Sequence, residues 1–426
     1  MTHPDRRTAV LLSLGSALVL AVLALWWVPW QPVPGGVPAP AAPGSLLSAD
    51  EIEQAEEFSR AVRRWSWASL LLSLAVTGWL GFGAVGRRLV DRTRGPWWWR
   101  VLLAVAGVLL AVRLVTLPLS VLHRRELLAY GLSEQAWTGF ARDLALAQLV
   151  ATATTGLALV VLVGCARRWR RAWPAVAGFG LGVLVLLGSF VYPVVVEPLF
   201  NEFTPLPAGQ LRTEILELAD REQVQVEDVL VADASRRTTT LNAYVSGWGS
   251  TRRVVVYDTL VDGLARDQTL SVVAHELAHA RHRDVVVGTV LGALGAGLAV
   301  GLLALVVGWR SGGRGAGRGL SVADPAVVPL VLALLSFGTL LAGPVQNGVS
   351  RQIEMRADVD ALEATGDPDA FISMQRVLSV RSLADPTPPA WMQIWFGSHP
   401  TALTRVAIAE LLRPDLERPA PDPTVP

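Results

Sequence analysis

Long apolar runs alternate with polar stretches along most of this 426-residue chain. A transmembrane helix needs about 20 mostly apolar residues, and seven runs approach or exceed that length. They cover residues 8–28, 65–86, 97–122, 144–165, 172–196, 285–309 and 325–343. Tryptophans cluster at several of their ends, for example Trp97, Trp98 and Trp99, as in the aromatic belt of a membrane interface. The pattern predicts a mainly α-helical, multi-pass membrane protein with seven transmembrane helices.

Two polar segments follow the fifth and the seventh run. In the first, residues 197–284, helical spacing of apolar residues around Ile215 precedes a strand-like run at 229–232. Runs 240–245 and 252–257 then flank a glycine-containing turn, which indicates a hairpin. These elements predict a small α+β domain that the last two spans divide. The expected organisation is a five-span membrane domain (1–196), a first polar segment (197–284), spans six and seven (285–343), a second polar segment (344–412) and a disordered tail (413–426).

Composition supports the membrane assignment and excludes two kinds of site. Hydrophobic residues make up 52% of the chain and charged residues 17%, and the net charge of +1 gives no argument for a nucleic-acid partner. The one cysteine, Cys165, lies in an apolar run, so neither a disulfide framework nor a cysteine-rich metal site is expected. Any bound metal must use His, Asp or Glu.

The motif His275-Glu276-Leu277-Ala278-His279 is the strongest chemical signal in the chain. On a helix, His275 and His279 are one turn apart and share a face, so two neutral imidazoles can hold Zn²⁺ in half of a tetrahedral site. Glu276, next to the first of them, can take a proton from a water molecule that the metal activates. Chance spacing of two of the six histidines is the alternative. The motif favours a zincin-type catalytic domain.

A second acidic pair supplies what the motif lacks. Glu354 and Asp358 are again one turn apart, on a helix that Gly366, Asp367 and Pro368 are expected to stop. Glu354 can be the third protein ligand of one zinc ion, and Asp358 can hydrogen-bond a ligand histidine. Taken alone, the pair would indicate a solvated acidic helix face. The histidine motif reverses that preference.

Two further polar side chains near the end of the chain are candidates for the same site. His399 precedes a proline, and Arg405 follows six residues later. A hydrolytic site needs a donor for the oxyanion that forms when water attacks a carbonyl. His399 is a candidate catalytic residue, and Arg405 either serves the oxyanion or supports the metal ligands from outside their set.

The ordered motifs resemble a known family. Residues 200–207 (FNEFTPLP), Asn242-Ala243-Tyr244, His275-Glu276-x-x-His279, Ser350-Arg351-x-x-Glu354-x-x-x-Asp358, and Ser398-His399-Pro400 with Arg405 are similar to the integral-membrane zinc endopeptidases of the CAAX prenyl protease 1 type. The resemblance covers most of the chain. It implies zinc on His275, His279 and Glu354, Glu276 as general base, Asp358 behind a ligand, and His399 near the oxyanion. It also implies that Asn242, Ala243 and Tyr244 form an edge strand along the substrate, and that the spans enclose a chamber.

These observations predict a zinc metalloendopeptidase acting on membrane-associated or lipidated peptides and proteins. A bacterial source is expected because all 37 basic residues are arginine. A quality-control protease for misfolded membrane proteins, and a non-catalytic scaffold or transporter with a vestigial metal site, remain alternatives. Glu276 disfavours the last, because a structural zinc site needs no general base. An intramembrane protease is disfavoured because Glu354 lies in a polar segment.

The arginine distribution bears on orientation in the cell membrane. Arginines precede span one and fill the loops between spans two and three, four and five, and six and seven. The positive-inside rule places those loops in the cytoplasm. Both polar segments then face outward, whereas eukaryotic members of the family place the metal site towards the cytosol.

Overall fold

The computed structural model describes residues 3–311 and 321–417, and helices account for most of them. The helices are α1 (His3–Trp27), α2 (Pro43–Leu46), α3 (Ala49–Phe82), α4 (Ala84–Asp91), α5 (Trp97–Ala129), α6 (Trp137–Arg168), α7 (Trp173–Val191), α8 (Glu197–Phe200), α9 (Gln210–Arg221), α10 (Asp258–Gly263), α11 (Arg266–Arg281), α12 (Asp284–Ser311), α13 (Val328–Thr365), α14 (Pro368–Ser382), α15 (Ala390–Phe396) and α16 (Ala402–Leu416). The strands are β1 (Phe203–Pro205), β2 (Asp228–Ala232), β3 (Ala243–Ser246) and β4 (Arg253–Tyr257).

Seven helical stretches in the described residues are long and apolar enough to cross a membrane, and they confirm the seven predicted spans. They are Arg6–Trp27, Ala49–Phe82, Trp97–Ala129, Trp137–Arg168, Trp173–Phe200, Asp284–Trp309 and Pro325–Thr365. Within the bundle α12 packs between α1 and α7, while α3 packs against both α5 and α13. The mainly α-helical, multi-pass fold is therefore as expected.

The seventh span does not end where its apolar run ends. Helix α13 is 38 residues long and continues without a break from the span into the second polar segment. It ends where expected, at Thr365, because Gly366 adopts the left-handed conformation (φ 62°) that closes a helix C-terminus. One helix therefore joins the membrane domain to the α+β domain that the two polar segments form, called the polar domain below.

The four strands form one small sheet in the order β1-β2-β4-β3. Strand β4 pairs in parallel with β2 and antiparallel with β3, and Tyr244 lies opposite Val255 in the β3–β4 pair. The predicted hairpin is therefore present, while the short strand β1 and the sheet order had no clear signature in the sequence. In the described residues β3 pairs with β4 alone, so it forms one edge of the sheet.

A single apolar core joins both polar segments. Ile215 of α9, Leu277 of α11, Leu362 of α13, Phe371 of α14 and Ile408 of α16 are all fully buried in it. The two segments, which the sequence separates by two spans, thus fold as one domain, and burial of this shared apolar surface holds them together.

The motif helix does not continue directly into span six, as the sequence would allow. Helix α11 ends at Arg281 and α12 begins at Asp284, because Arg283 has a left-handed backbone (φ 58°). This conformation is uncommon for a residue with a side chain. The break turns Asp284 back towards the last turn of α11.

The C-terminal boundary also differs from the expected one. Helix α16 extends to Leu416, past residue 413 where a disordered tail was predicted, and residues 418–426 lie outside the described part. Arg413 forms ion pairs with Asp369, Glu410 and Glu417, which stabilise the last turn. Most of the loop between spans six and seven, residues 312–320, also lies outside the description.

Candidate metal centre

The two motif histidines converge from one face of α11. Their Nε2 atoms are 3.2 Å apart, His275 is buried, and His279 is partly buried. Helical periodicity explains this arrangement, since residues four apart project from the same side of the helix.

Glu354 of α13 completes a group of three potential metal ligands. Its Oε2 lies 3.3 Å from His275 Nε2, and its Oε1 lies 3.7 Å from His279 Nε2. In a tetrahedral zinc site with bonds of about 2.0–2.2 Å, neighbouring ligand atoms are about 3.3 Å apart. Glu354 Oε2 is also buried and, in the part of the chain that the structure describes, accepts no hydrogen bond. A cation between these three side chains would satisfy that oxygen, so the residues fit a zinc ion.

The outer nitrogen of His275 is held by a buried ion pair. His275 Nδ1 lies 3.0 Å from Asp358 Oδ1, and Asp358 is completely buried. Arg405 contacts both oxygens of Asp358, with Nε at 3.0 and 2.9 Å. When Asp358 accepts from Nδ1–H, the lone pair of Nε2 points at the ligand cluster. Arg405 thus lies behind His275, on the side away from Glu354.

A corresponding pair supports His279, and sequence reasoning missed it. His279 Nδ1 lies 2.9 Å from Asp284 Oδ2, and Arg356 of α13 donates to the other oxygen of Asp284. Five residues separate His279 from Asp284, a spacing that would not bring them together in a continuous helix. The break in the helix at Arg283 brings the two side chains together. The sequence shows a carboxylate, Asp284, just past the motif, but Asp284 can contact His279 only because the helix breaks at Arg283.

Glu276 is partly buried on the motif helix beside His275. Burial raises the pKa of its carboxyl above the ordinary value near 4.5, and the two neighbouring histidines oppose that change. Its carboxyl is an electrostatic neighbour of His275, His279 and Glu354.

His399 reaches the same cluster from the loop between α15 and α16. Its Nε2 lies 3.4 Å from Glu354 Oε2, and its side chain is 59% exposed. Ser398 Oγ lies 2.9 Å from His399 Nδ1, and Gln393 donates to the His399 carbonyl at 2.6 Å. Arg351 of α13 donates to the Gln393 carbonyl at 2.8 Å and anchors this loop. His399 therefore approaches from the open side of the cluster.

Asn242, Ala243 and Tyr244 lie at the start of β3, next to the metal centre. Strand β3 packs against α11, and Ala243 is buried in that contact. Asn242 is exposed, and its carbonyl accepts from the Tyr257 amide of β4 at 3.0 Å. At the far end of β3, Trp248 stacks on Phe190 of α7 with ring centroids 4.3 Å apart. The strand thus runs from the motif helix α11 towards α7 of span five.

Comparison with known proteins agrees with this arrangement. Residues 36–202 match the family model described as CAAX prenyl protease N-terminal, five membrane helices, and residues 205–412 match the model of Peptidase family M48. An uncharacterized metalloprotease, YhfN, from Bacillus subtilis (strain 168) is 28% identical over 93% of this chain and 95% of its own length.

A plant protein and a solved structure extend the likeness. The CAAX prenyl protease 1 homolog of Oryza sativa subsp. japonica is 29% identical over 72% of each chain. The crystal structure of S. mikatae Ste24p superposes with a TM-score of 0.76 at 21% identity, covering 95% of this chain and 99% of that one. The two matched regions follow one another along the sequence, and the chain belongs to the membrane-embedded M48 metalloproteases that carry the CAAX prenyl protease N-terminal domain.

Proposed function

We propose that this peptide hydrolase is a zinc-dependent endopeptidase that cuts membrane-associated or lipidated peptides and proteins. The observation that carries the proposal is the convergence of His275, His279 and Glu354 from two distant segments around a buried carboxylate oxygen that accepts no hydrogen bond within the described residues. These three side chains would hold one zinc ion. Asp358 and Asp284 orient the two histidines for that role.

Peptide hydrolysis needs a proton acceptor and a stabilised oxyanion. Zinc, when bound, supplies a Lewis acid that acidifies water and polarises a carbonyl group. Glu276 takes the proton from the attacking water and passes it to the departing amine. Its raised pKa suits both transfers, because a base whose pKa lies nearer neutrality also serves as an acid. His399 donates to the developing oxyanion from the open side of the cluster.

The free edge of β3 is the proposed substrate platform. An extended peptide can pair with an unpaired strand edge through backbone hydrogen bonds, which place little demand on its sequence. Asn242, Ala243 and Tyr244 lie on this edge, and the contact of Trp248 with span five keeps it near the membrane surface. Peptides attached to the bilayer therefore have the shortest route to the site. The prenyl group in the names of the relatives is one such attachment.

Separate substitutions of Glu276 and Glu354 test the mechanism. We expect Glu276→Gln to keep zinc and to lose peptide cleavage by about 10²- to 10⁴-fold, because only the proton acceptor is removed. Glu354→Ala should lose zinc, because it removes a ligand. Zinc content and cleavage of a bilayer-anchored fluorogenic peptide are measured on purified protein.

The exposed Glu217→Gln is the matched control and should behave as wild type. Cleavage that survives Glu276→Gln would rule out its role as base. Bound zinc with no cleavage by wild type of either anchored or unfolded soluble substrates would favour a non-catalytic scaffold. Equal cleavage of both substrates would favour a quality-control protease.

We also propose that the metal centre faces the outside of the cell. The support is the arginine distribution in the loops on the opposite side, read by the positive-inside rule. A reporter that is active only in the cytoplasm, fused after Pro426, should be inactive, while the same reporter placed in the loop between spans two and three should be active. The reverse pattern would place the site in the cytosol, as in the eukaryotic members.

A further inference from the structure

A cavity of about 450 Å³ lies between α3, α5, α6 and the loop that follows β2, outside the metal centre. Its lining includes three basic side chains, His123, Arg124 and Arg237, together with four serines. None of the lining residues is Asp or Glu. The cavity is therefore cationic and rich in hydrogen-bond donors, and it lacks an internal counter-charge.

Arg124 is the more deeply buried of the two arginines, at 4% exposure. Its partners are neutral: Nη1 donates to the Gln135 side-chain oxygen at 3.1 Å, and Nη2 donates to the Gln135 carbonyl. The guanidinium also lies 4.8 Å from the Trp137 ring and 4.7 Å from the Phe140 ring. Its Nε is buried and has no acceptor among residues 3–311 and 321–417.

Arg237 reaches the cavity from the polar domain, and it too lacks a full set of hydrogen-bond acceptors among the described residues. It donates to the Asn201 side-chain oxygen, and its Nε is buried without an acceptor. Within the described residues, neither Arg124 nor Arg237 forms an ion pair with a carboxylate. The nearby carboxylates have other partners, since Glu126 accepts from Trp65 and Asp143 accepts from Gln135.

A buried arginine beside a half-buried one, both without a carboxylate partner among the described residues, is costly, because arginine stays charged and a buried charge is normally paired. A phosphate group would remove that cost. Its oxygens can accept from both guanidinium forks at once, in charge-assisted hydrogen bonds. The serine hydroxyls would serve the remaining oxygens.

The depth of the cavity identifies the source of the phosphate. Three helices form its walls: α3 at Trp65, where the apolar run begins, α5 at its last turns, and α6 at its first turns. Arg237 closes the cavity on the side of the polar domain. This level is the boundary between headgroups and hydrocarbon. Leu119 and Leu144 line the same cavity, so apolar contacts are available beside the polar ones. We propose that this cavity binds the headgroup of an anionic phospholipid, with its phosphate between Arg124 and Arg237.

Binding of short-chain lipids to the full-length, zinc-loaded protein in detergent tests the proposal. Dioctanoyl-phosphatidylglycerol is compared with dioctanoyl-phosphatidylcholine, with inorganic phosphate, and with a peptide bearing a free or an amidated C-terminus. Affinity is measured by native mass spectrometry and by the shift of the thermal unfolding midpoint. We expect phosphatidylglycerol to bind wild type at least about tenfold more tightly than phosphatidylcholine.

The variants separate a built site from general attraction. Arg237→Gln should weaken phosphatidylglycerol binding by about 10- to 100-fold, because it removes charge-assisted hydrogen bonds. Arg124→Lys keeps the charge but loses the planar fork, so we expect a smaller loss with the fold intact. The exposed Arg170→Gln is the control and should bind as wild type.

Four results would overturn the proposal. Equal binding of the two lipids, or undiminished binding by Arg237→Gln, would show that the arginines do not select an anionic headgroup. Arg237-dependent binding of inorganic phosphate without binding of the lipid would assign a soluble anion. Arg237-dependent displacement of the lipid by the free-acid peptide, at lower concentration than the lipid itself requires, would assign the cavity to a substrate carboxylate.

Discussion

Each of the two motif histidines is oriented by a carboxylate outside the proposed ligand set. Asp358 holds His275 and is itself held by Arg405, while Asp284 holds His279 and is held by Arg356. Both carboxylates thus have a histidine on one side and an arginine on the other. The arginine holds the carboxylate in place, and the carboxylate fixes the orientation of the imidazole.

Asp284→Asn should weaken zinc binding by about 10- to 100-fold, because the amide is a poorer acceptor for His279 Nδ1–H and leaves Arg356 without its ion pair. Zinc retention is measured during titration with a chelator. Asp262→Asn, an exposed aspartate on α10, is the matched control and should retain zinc as wild type. Equal retention by both variants would remove Asp284 from the support of His279.

The sequence predicted some residues of the proposed metal centre and missed others. Helical spacing alone places His275 beside His279 and Glu354 near Asp358, and the structure brings these four together with Arg405 and His399. The sequence could not predict the contact of Asp284 with His279, because that contact depends on one backbone angle at Arg283. The arginine pair at the cavity was equally hidden, since Arg124 and Arg237 share no local pattern.

Among the elements, α3 and α13 approach each other most closely near the start of α13, around Pro329 and Ala333. A methyl group added at Gly81 of α3 would lie 2.4 Å from the Ala333 Cβ and 2.5 Å from the Pro329 carbonyl oxygen of α13. Both distances are shorter than any normal van der Waals contact. Glycine at this position lets the two helix backbones approach closely, as is common between membrane helices.

Gly81→Ala should therefore force the helices apart and destabilise the protein by about 1–3 kcal/mol. The thermal unfolding midpoint of purified protein is the measurement, and we expect it to fall by several degrees. Gly107→Ala is the control, because a methyl group there meets nothing within 4 Å. A midpoint unchanged in Gly81→Ala would show that the α3–α13 contact can widen without loss.

At this scale the sequence was most informative about the spans. Their existence follows from run length alone, whereas the continuation of α13 beyond residue 343 depends on tertiary contacts of Glu354, Asp358 and Leu362. The sheet order had no local signature either, because β2 and β4 pair directly although β3, which lies at the sheet edge, comes between them in the sequence. Such non-local pairings are decided by the whole fold.

At the scale of the whole molecule, the polar domain is tied to the membrane domain at points far apart in sequence. Arg376 of α14 donates to Glu51 of α3 at 2.7 Å, and the Thr239 amide donates to the Leu132 carbonyl at 3.3 Å. Arg63 of α3 also pairs with Asp385. These ties add to the covalent passage through α12 and α13, so the two domains present one continuous surface around the metal centre.

We expect the uninterrupted helix α13 to make the proposed metal centre sensitive to hydrophobic mismatch. At 1.5 Å per residue this helix is about 57 Å long, and Glu354 is carried on the part that has left the apolar run. A bilayer thinner or thicker than the apolar run changes the tilt of such a rod, and a lever of this length converts a small tilt into a displacement of the third ligand relative to α11.

Cleavage in liposomes should accordingly peak at one acyl-chain length and fall several-fold in both shorter and longer lipids, with zinc affinity following the same curve. Equal zinc affinity in all of them would show that α11 and α13 move as one body. In the expected case, the thickness of the surrounding membrane acts as a regulator of the enzyme, transmitted mechanically along a single helix.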